Sequence, residues 1–314
     1  MRIIDAHMHY CNADWFRQIA IAAGHINTAD CWEEICRENK IVFSVAMGNT
    51  MDVISRVGGI PPRLINLKAS FDEVCYNQPP YIGYCLGVQS ELINEKNAEA
   101  TACEFEFYLK QPQSLGIKLY PGYNTVYVND RRHWPLFELA RSYHVPAVIH
   151  TGDTANSMGL LKYSHPLTVD EAAVDFPDIT FVIAHCGNPW IVDAVEVASK
   201  NKNVCIDMSG LLAGRTDPLQ LYERNADYFR YLRLWLSYLG QYDKILYGSD
   251  WPLVNIPVYI KVMQHVIPEK EQEKFFYTNA LRVFGKINGL LEYSDNIKYK
   301  HCDAGDKFNE TSEN

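Results

Sequence analysis

Ile3-Ile4-Asp5-Ala6-His7-Met8-His9-Tyr10 places an apolar run near the start of the chain and ends it in two histidines one residue apart. In an extended strand successive side chains alternate between faces, so both imidazoles point to the same side. Two neutral imidazoles converging from one strand end supply half of a divalent metal site. Buried without such a partner, each needs another hydrogen-bonding solution. An isolated His-X-His is equally compatible with surface or core histidines, so the weight has to come from the rest of the chain.

Outward from that stretch, strand-like runs return at intervals with helix-forming sequence between them, reduced after the second run to a candidate short helix around Phe71 to Cys75. After the first strand, Ala13 to Ala23 and Asp30 to Glu38 have helical composition, with Asp30 placed as the cap of the second. The later apolar runs are Ile41 to Met47, Tyr81 to Val88, Leu115 to Gly122, Val145 to His150, Ile179 to His185, Val204 to Met208 and Ile245 to Asp250. Between them lie helices over Asn94 to Lys110, Trp134 to Tyr143 and Thr168 to Phe176, the last opened by Thr168 and Glu171 as a capping box. Pro189 to Lys200, Asp217 to Leu239 and Glu271 to Phe284 complete the set. In the aromatic-rich stretch, Leu221, Phe229, Leu232 and Leu236 read as a core-facing stripe. Eight strand-then-helix units, in roughly the 250 residues that one such barrel takes, predict an α/β fold: a single parallel (β/α)8 TIM barrel. The barrel is expected over residues 1–291, with a polar, charged tail over 292–314, and the long connection from Gly48 to Pro80 is a candidate lid.

The 314 residues are 47% hydrophobic and 21% charged, the makeup of a globular protein able to bury a sizeable core. A net charge of −9, with 29 Lys and Arg scattered among 38 Asp and Glu, argues against a nucleic-acid footprint. No apolar segment approaches a membrane span and the amino terminus lacks a signal-peptide pattern, so a cytoplasmic protein is expected. The nine cysteines form no Cys-X-X-Cys pair, which suggests neither a disulfide framework nor a zinc ribbon. Cys186, beside a histidine, is better explained as a buried apolar residue than as a nucleophile.

In a (β/α)8 barrel the active site lies at the carboxyl ends of the strands, so titratable residues that close apolar runs stand where chemistry happens. His7 and His9 close the first strand, Lys118 lies in the fourth, and His150, His185 and Asp250 close the fifth, sixth and eighth. Any one of them could be a satisfied barrel-end residue. Together they make a nitrogen and oxygen constellation suited to a zinc-like ion.

These residues carry a resemblance. His7-X-His9, His150, His185 and Asp250 in the setting Tyr247-Gly248-Ser249-Asp250-Trp251-Pro252 resemble the amidohydrolase superfamily, in particular the amidohydrolase-2 branch with the aminocarboxymuconate-semialdehyde decarboxylase relatives. The closing Asn279-Ala280-Leu281-Arg282-Val283-Phe284-Gly285 is similar to that branch's last helix. The resemblance implies that His7, His9, His150 and Asp250 ligate one divalent metal, zinc first, with manganese or iron as alternatives. His185 is implied as a catalytic imidazole close by, and Asp250 as the group that takes and returns a proton. In some branches the strand-four lysine is carboxylated and bridges two metals. The setting Gly116-Ile117-Lys118-Leu119-Tyr120-Pro121 points instead to a non-bridging Lys118 that meets substrate.

The chemistry so implied is hydrolysis of an amide, ester or lactone in a small compound that carries a carboxylate or ring, by metal-activated water. Decarboxylation of an unsaturated or aromatic acid is the alternative, and a non-catalytic binding barrel the third. Tyr120, Asp153, Asn188, Trp190, Arg215 and Trp251 lie just beyond strand ends and are the candidate substrate contacts, although loop packing would explain each aromatic and solvation the arginine. The expected partners are a small-molecule substrate and, as an assembly, a homodimer, without nucleic acid or membrane.

Overall fold

A computed structural model of the chain describes residues 1–10, 14–48, 79–155, 157–214 and 217–292. Eight parallel strands follow one another around a single sheet in chain order. They are β1 (Ile3–Met8), β2 (Ile41–Met47), β3 (Ile82–Val88), β4 (Ser114–Leu119), β5 (Ala147–Ile149), β6 (Phe181–Ile183), β7 (Val204–Asp207) and β8 (Ile245–Leu246). The circle closes between β8 and β1: the Ala6 amide donates to the Tyr247 carbonyl, and the amides of Ser249 and Asp250 donate to the His7 carbonyl. The expected TIM barrel is therefore observed.

Strands covered on both faces read as near-continuous apolar runs, which is why their composition was conspicuous in the sequence. Ile4, Phe43, Val148, Val182, Cys205 and Leu246 fill the inside of the barrel. Ile3, Ile117, Ala147, Ile149, Phe181, Val204 and Ile206 face the surrounding helices. Tyr277, Val283, Phe284 and Ile287, from the last helical turns described, pack onto the inner core.

The helices differ from the sequence expectation at their ends, and one, Ile256–Val266, capped by Asn255, was not expected from the sequence. Helix Ala29–Asn39 is capped by Thr28, whose hydroxyl accepts from the Cys31 amide, and Asp30 sits in the first turn. Helix Thr168–Asp175 has no side-chain cap; the Thr168 hydroxyl donates backwards to the His165 carbonyl, which removes it from the expected capping box. The stretch expected as one helix is two, Pro218–Arg224 and Ala226–Leu239, interrupted at Asn225, and Phe229, Leu232 and Leu236 bury the expected stripe. The closing helix contains a π-helical turn, Lys274–Thr278, before Asn279–Val283. The candidate lid from Gly48 to Pro80, with its short helix, and the tail over 292–314 fall almost wholly on residues 49–78 and 293–314, which lie outside the described residues. Among the described residues no helix is long and apolar enough to cross a membrane.

Candidate metal centre

Alternation along the strands delivers particular side chains to the carboxyl end of the barrel. In β5, Val148 lies inside the barrel and His150, two residues on, lines a cavity of about 510 Å³; in β7, Cys205 lies inside and Asp207 reaches His7. β1 departs from strict alternation. Ile4 and Ala6 face inward, the pairing with β2 then slips between Asp5 and Met8, and His7 and His9 both line the cavity. A slip of this kind re-aims side chains at a barrel rim. His185 (φ 58°), Cys186 (φ 50°) and Asp250 (φ 65°) turn the chain through the left-handed region just past β6 and β8. Such non-glycine residues cost on the order of 1–3 kcal/mol each and persist where the surroundings over-determine them. Gly210 leaves room for the result: a Cβ there would lie 2.5 Å from Asp250 Oδ2.

Of the residues singled out from the sequence, His7, His9, Lys118, Tyr120, His150, Asp153, His185, Asn188 and Asp250 line this one cavity. Trp251 and Trp190 do not. Trp251 is fully buried, with Trp32 at 4.9 Å and His25 at 5.9 Å between ring centroids, and Trp190 packs against His165 at 4.8 Å, so both rings are used in packing. Arg215 lies outside the described residues. Cys186 is buried, and burial pushes its thiol up to about 12, as befits an inert packing residue.

His7, His9 and Asp250 each bring a ligand atom within 4.8 Å of the others; His7, His185 and Asp207 form a second such group through the same imidazole. His9 Nε2 is 3.1 Å and His7 Nε2 3.6 Å from Asp250 Oδ1, while His185 Nδ1 is 3.9 Å from Asp250 Oδ2. His150 belongs to neither group among the described residues; its ring stands 5.0 Å from that of His185. The ring nitrogens have defined roles. His7 Nδ1 is 2.8 Å from the Asp207 carboxylate and donates to it, leaving Nε2 as the lone pair. His150 Nε2 donates to the Asp153 carbonyl at 3.1 Å, leaving Nδ1.

The electrostatics keep the rings of His7, His150 and His185 neutral. Burial lowers the His7 imidazole to about 4, with Lys118 acting in the same direction against Asp207 and Asp250. Burial also lowers His150, well below its ordinary value, and His185. Burial alone would push the Asp250 carboxyl up, but the imidazoles gathered around it, His9 first with His185 and His7, hold it below the usual carboxylate range. Lys118 is fully buried, its Nζ has no hydrogen-bond partner, and burial brings it down to about 8 against the pull of Asp207 and Asp250.

This set suits a divalent cation. His7 Nε2 and Asp250 Oδ1 are buried without a hydrogen-bond partner, and a carboxylate on the far nitrogen of His7 is the usual support for a metal-binding imidazole. Neutral imidazoles and an ionised carboxylate are the protonation states that metal binding requires. Two members of the site escaped the sequence reading: Asp207 and Tyr123, the latter in the cavity wall with its ring 4.8 Å from that of His150. Asp207 closes β7 in the structure, but the apolar run reads on to Met208, which hid it inside the strand.

A family model described as Amidohydrolase matches residues 92–286, more than half of the chain and starting downstream of His7 and His9. No curated protein matches. Among solved structures, the chain is similar to an uncharacterised TIM-barrel protein from Bordetella bronchiseptica, with TM-score 0.64 and 21% identity over 91% of this chain and 99% of that one. It is also similar to 5-carboxyvanillate decarboxylase from Sphingomonas paucimobilis, with TM-score 0.59 and 14% identity over 90% and 98%. A third is a probable 2-pyrone-4,6-dicarboxylic acid hydrolase from Acinetobacter baumannii with citric acid bound, with TM-score 0.57 and 17% identity over 91% and 100%. At such identities the likeness is one of fold.

Proposed function

The chain belongs to the amidohydrolase family, and on that premise we propose that it is a metal-dependent hydrolase cleaving an amide, ester or lactone of a small carboxylate-bearing compound. The observation that carries the reading is the pair His7 Nε2 and Asp250 Oδ1, buried, without hydrogen-bond partners and 3.6 Å apart. His7, His9, His150 and Asp250 would hold one divalent ion, and a donor set of imidazoles and one carboxylate suits zinc. When bound, such an ion supplies Lewis acidity, polarising a carbonyl oxygen and making water nucleophilic near neutral pH.

The chain's own residues supply the proton handling and the fit. Asp250, held ionised at the cavity wall, accepts the proton of the attacking water and returns it to the leaving group. His185 is neutral and its Nδ1 faces the Ser209 carbonyl at 3.2 Å, so its Nε2 accepts and orients the water; donation to an oxyanion would need the imidazolium. The Lys118 ammonium, without a hydrogen-bond partner, pairs with the substrate carboxylate, and Phe16, Ile19, Leu211 and Leu253 give the remainder an apolar wall. A cytoplasmic homodimer completes the proposal, and the free thiols of the described cysteines suit a reducing compartment.

Decarboxylation is the second reading, since 5-carboxyvanillate decarboxylase shares the fold. An arginine fixed on the departing carboxylate would favour it, and Arg215, one residue after Gly214 of the cavity wall, is the candidate to test. The test is a panel of amides, esters and lactones of small carboxylic acids, followed by acid release, with chelation expected to abolish turnover and zinc to restore it. Release of carbon dioxide from aromatic acids, with no turnover on the panel, selects decarboxylation.

A further inference from the structure

Asp207 has no task in this scheme, yet it is buried and surrounded by donors. Its Oδ2 accepts from His7 Nδ1 at 2.8 Å. Its Oδ1 accepts from the amides of His185 at 3.1 Å and Ser209 at 3.0 Å and from the Ser209 hydroxyl. Only an ionised carboxylate, which accepts at both oxygens and donates at neither, satisfies all four. The Ser209 hydroxyl has one proton. Given to Asp207, it leaves Oγ able only to accept from His185 Nδ1, 3.0 Å away, and the Ser209 carbonyl at 3.2 Å can likewise only accept. Both His7 and His185 therefore carry their proton on Nδ1 and keep Nε2 as a lone pair. The same carboxylate anchors the left-handed turn at His185 through that residue's amide.

We propose that Asp207 is the positioning residue that sets the tautomer of His7 directly and, by taking the Ser209 hydroxyl proton, makes that hydroxyl act with the Ser209 carbonyl to hold the tautomer of His185. One nitrogen for a cation and one for a water proton are thereby presented together. The consequence for metal binding rests on the hydrolase reading given above; the tautomers themselves do not.

Asparagine at this position makes the argument sharp. An Asp207→Asn amide keeps its oxygen toward the three donors at Oδ1 and turns its NH2 group to His7 Nδ1, where two donors would meet. His7 then has to move its proton to Nε2, which removes the lone pair that a cation needs.

Nitrogen NMR of histidine-labelled, metal-free wild-type protein is expected to show both rings as Nδ1–H tautomers; either ring as Nε2–H overturns the proposal, with no variant needed. In Asp207→Asn, His7 is expected to switch to Nε2–H, and zinc affinity, read by competition with a chelating dye, to fall about 10–100-fold. Ser209→Ala should leave the His7 tautomer and zinc affinity unchanged, with His185 still held on Nδ1 by the backbone carbonyl at that position; a switched His7 tautomer in this variant overturns the direct assignment to Asp207. A folded Asp207→Asn protein with wild-type tautomers and zinc affinity contradicts the proposal. His7→Ala in the same dye assay separates the two claims: loss of zinc keeps the metal reading whatever Asp207→Asn does, and retained zinc overturns that reading while leaving the tautomer result to stand.

Discussion

Where the last helical turns described meet the barrel, Tyr277, Val283, Phe284 and Ile287 pack against Ile4, Phe43 and Leu115 near the strand starts. At the carboxyl end of the same strands, Lys118 Nζ, His7 Nε2 and Asp250 Oδ1 are buried without hydrogen-bond partners. Three non-glycine residues there, His185, Cys186 and Asp250, are held in the left-handed region. The difference teaches how the fold tolerates its site: burial stabilises at one end and costs at the other, and the first carries the second. Substitutions at the two ends should therefore separate activity from stability, and even reverse the sign of the stability change.

The largest effect is expected at the mouth. Asp250→Asn should lower kcat/KM by about 10²–10⁴-fold with the fold retained, as read by steady-state kinetics beside circular dichroism. Rates near wild type would remove Asp250 from the mechanism. At the opposite end, Phe284→Ala should cost about 3–5 kcal/mol in denaturant unfolding, with the folded fraction keeping its turnover.

Lys118→Met should act the other way on stability. The lysine's value falls from 10.5 to about 8 through burial, so between those values the unfolded chain binds more protons and stability rises with pH. Below pH 8 the burial penalty is present in full. At pH 7 the metal-free Lys118→Met protein should therefore gain up to about 3 kcal/mol, the advantage fading as pH rises from 8 toward 10.5, while KM for a carboxylate substrate rises. A destabilised variant with unchanged KM would show that Lys118 is a packing residue. The smallest effect belongs to neither end: Thr28→Ala removes a helix cap remote from both and should cost about 1 kcal/mol with no change in kinetics.

How much of this was legible in the sequence follows from the same contrast. The barrel was readable because its strands are covered on both faces and so appear as repeated apolar runs. The cluster of histidines and Asp250 was readable because a polar residue that closes such a run has to lie at the rim. Helix ends were less so. Thr28 and Asp30 are both capable caps, and the choice between them depends on where the chain enters the helix. Asn225 interrupts an otherwise continuous helical pattern through backbone geometry that periodicity does not register. β8 is only Ile245–Leu246, because the chain beyond it turns over β1, donating from Ser249 and Asp250 to His7, although Tyr247 and Gly248 look strand-like. Trp251 follows a strand end in sequence, yet a bridge to Met8 carries its ring into the packing against Trp32. Asp207 was hidden inside a run that reads on to Met208, and its role became visible only with the donors around it.

Crystals grown with zinc and measured at its absorption edge test the central claim most directly. The account predicts one anomalous peak about 2.0–2.2 Å from nitrogen or oxygen atoms of His7, His9, His150 and Asp250. No peak there at full zinc loading, or one seated on other residues, would contradict it.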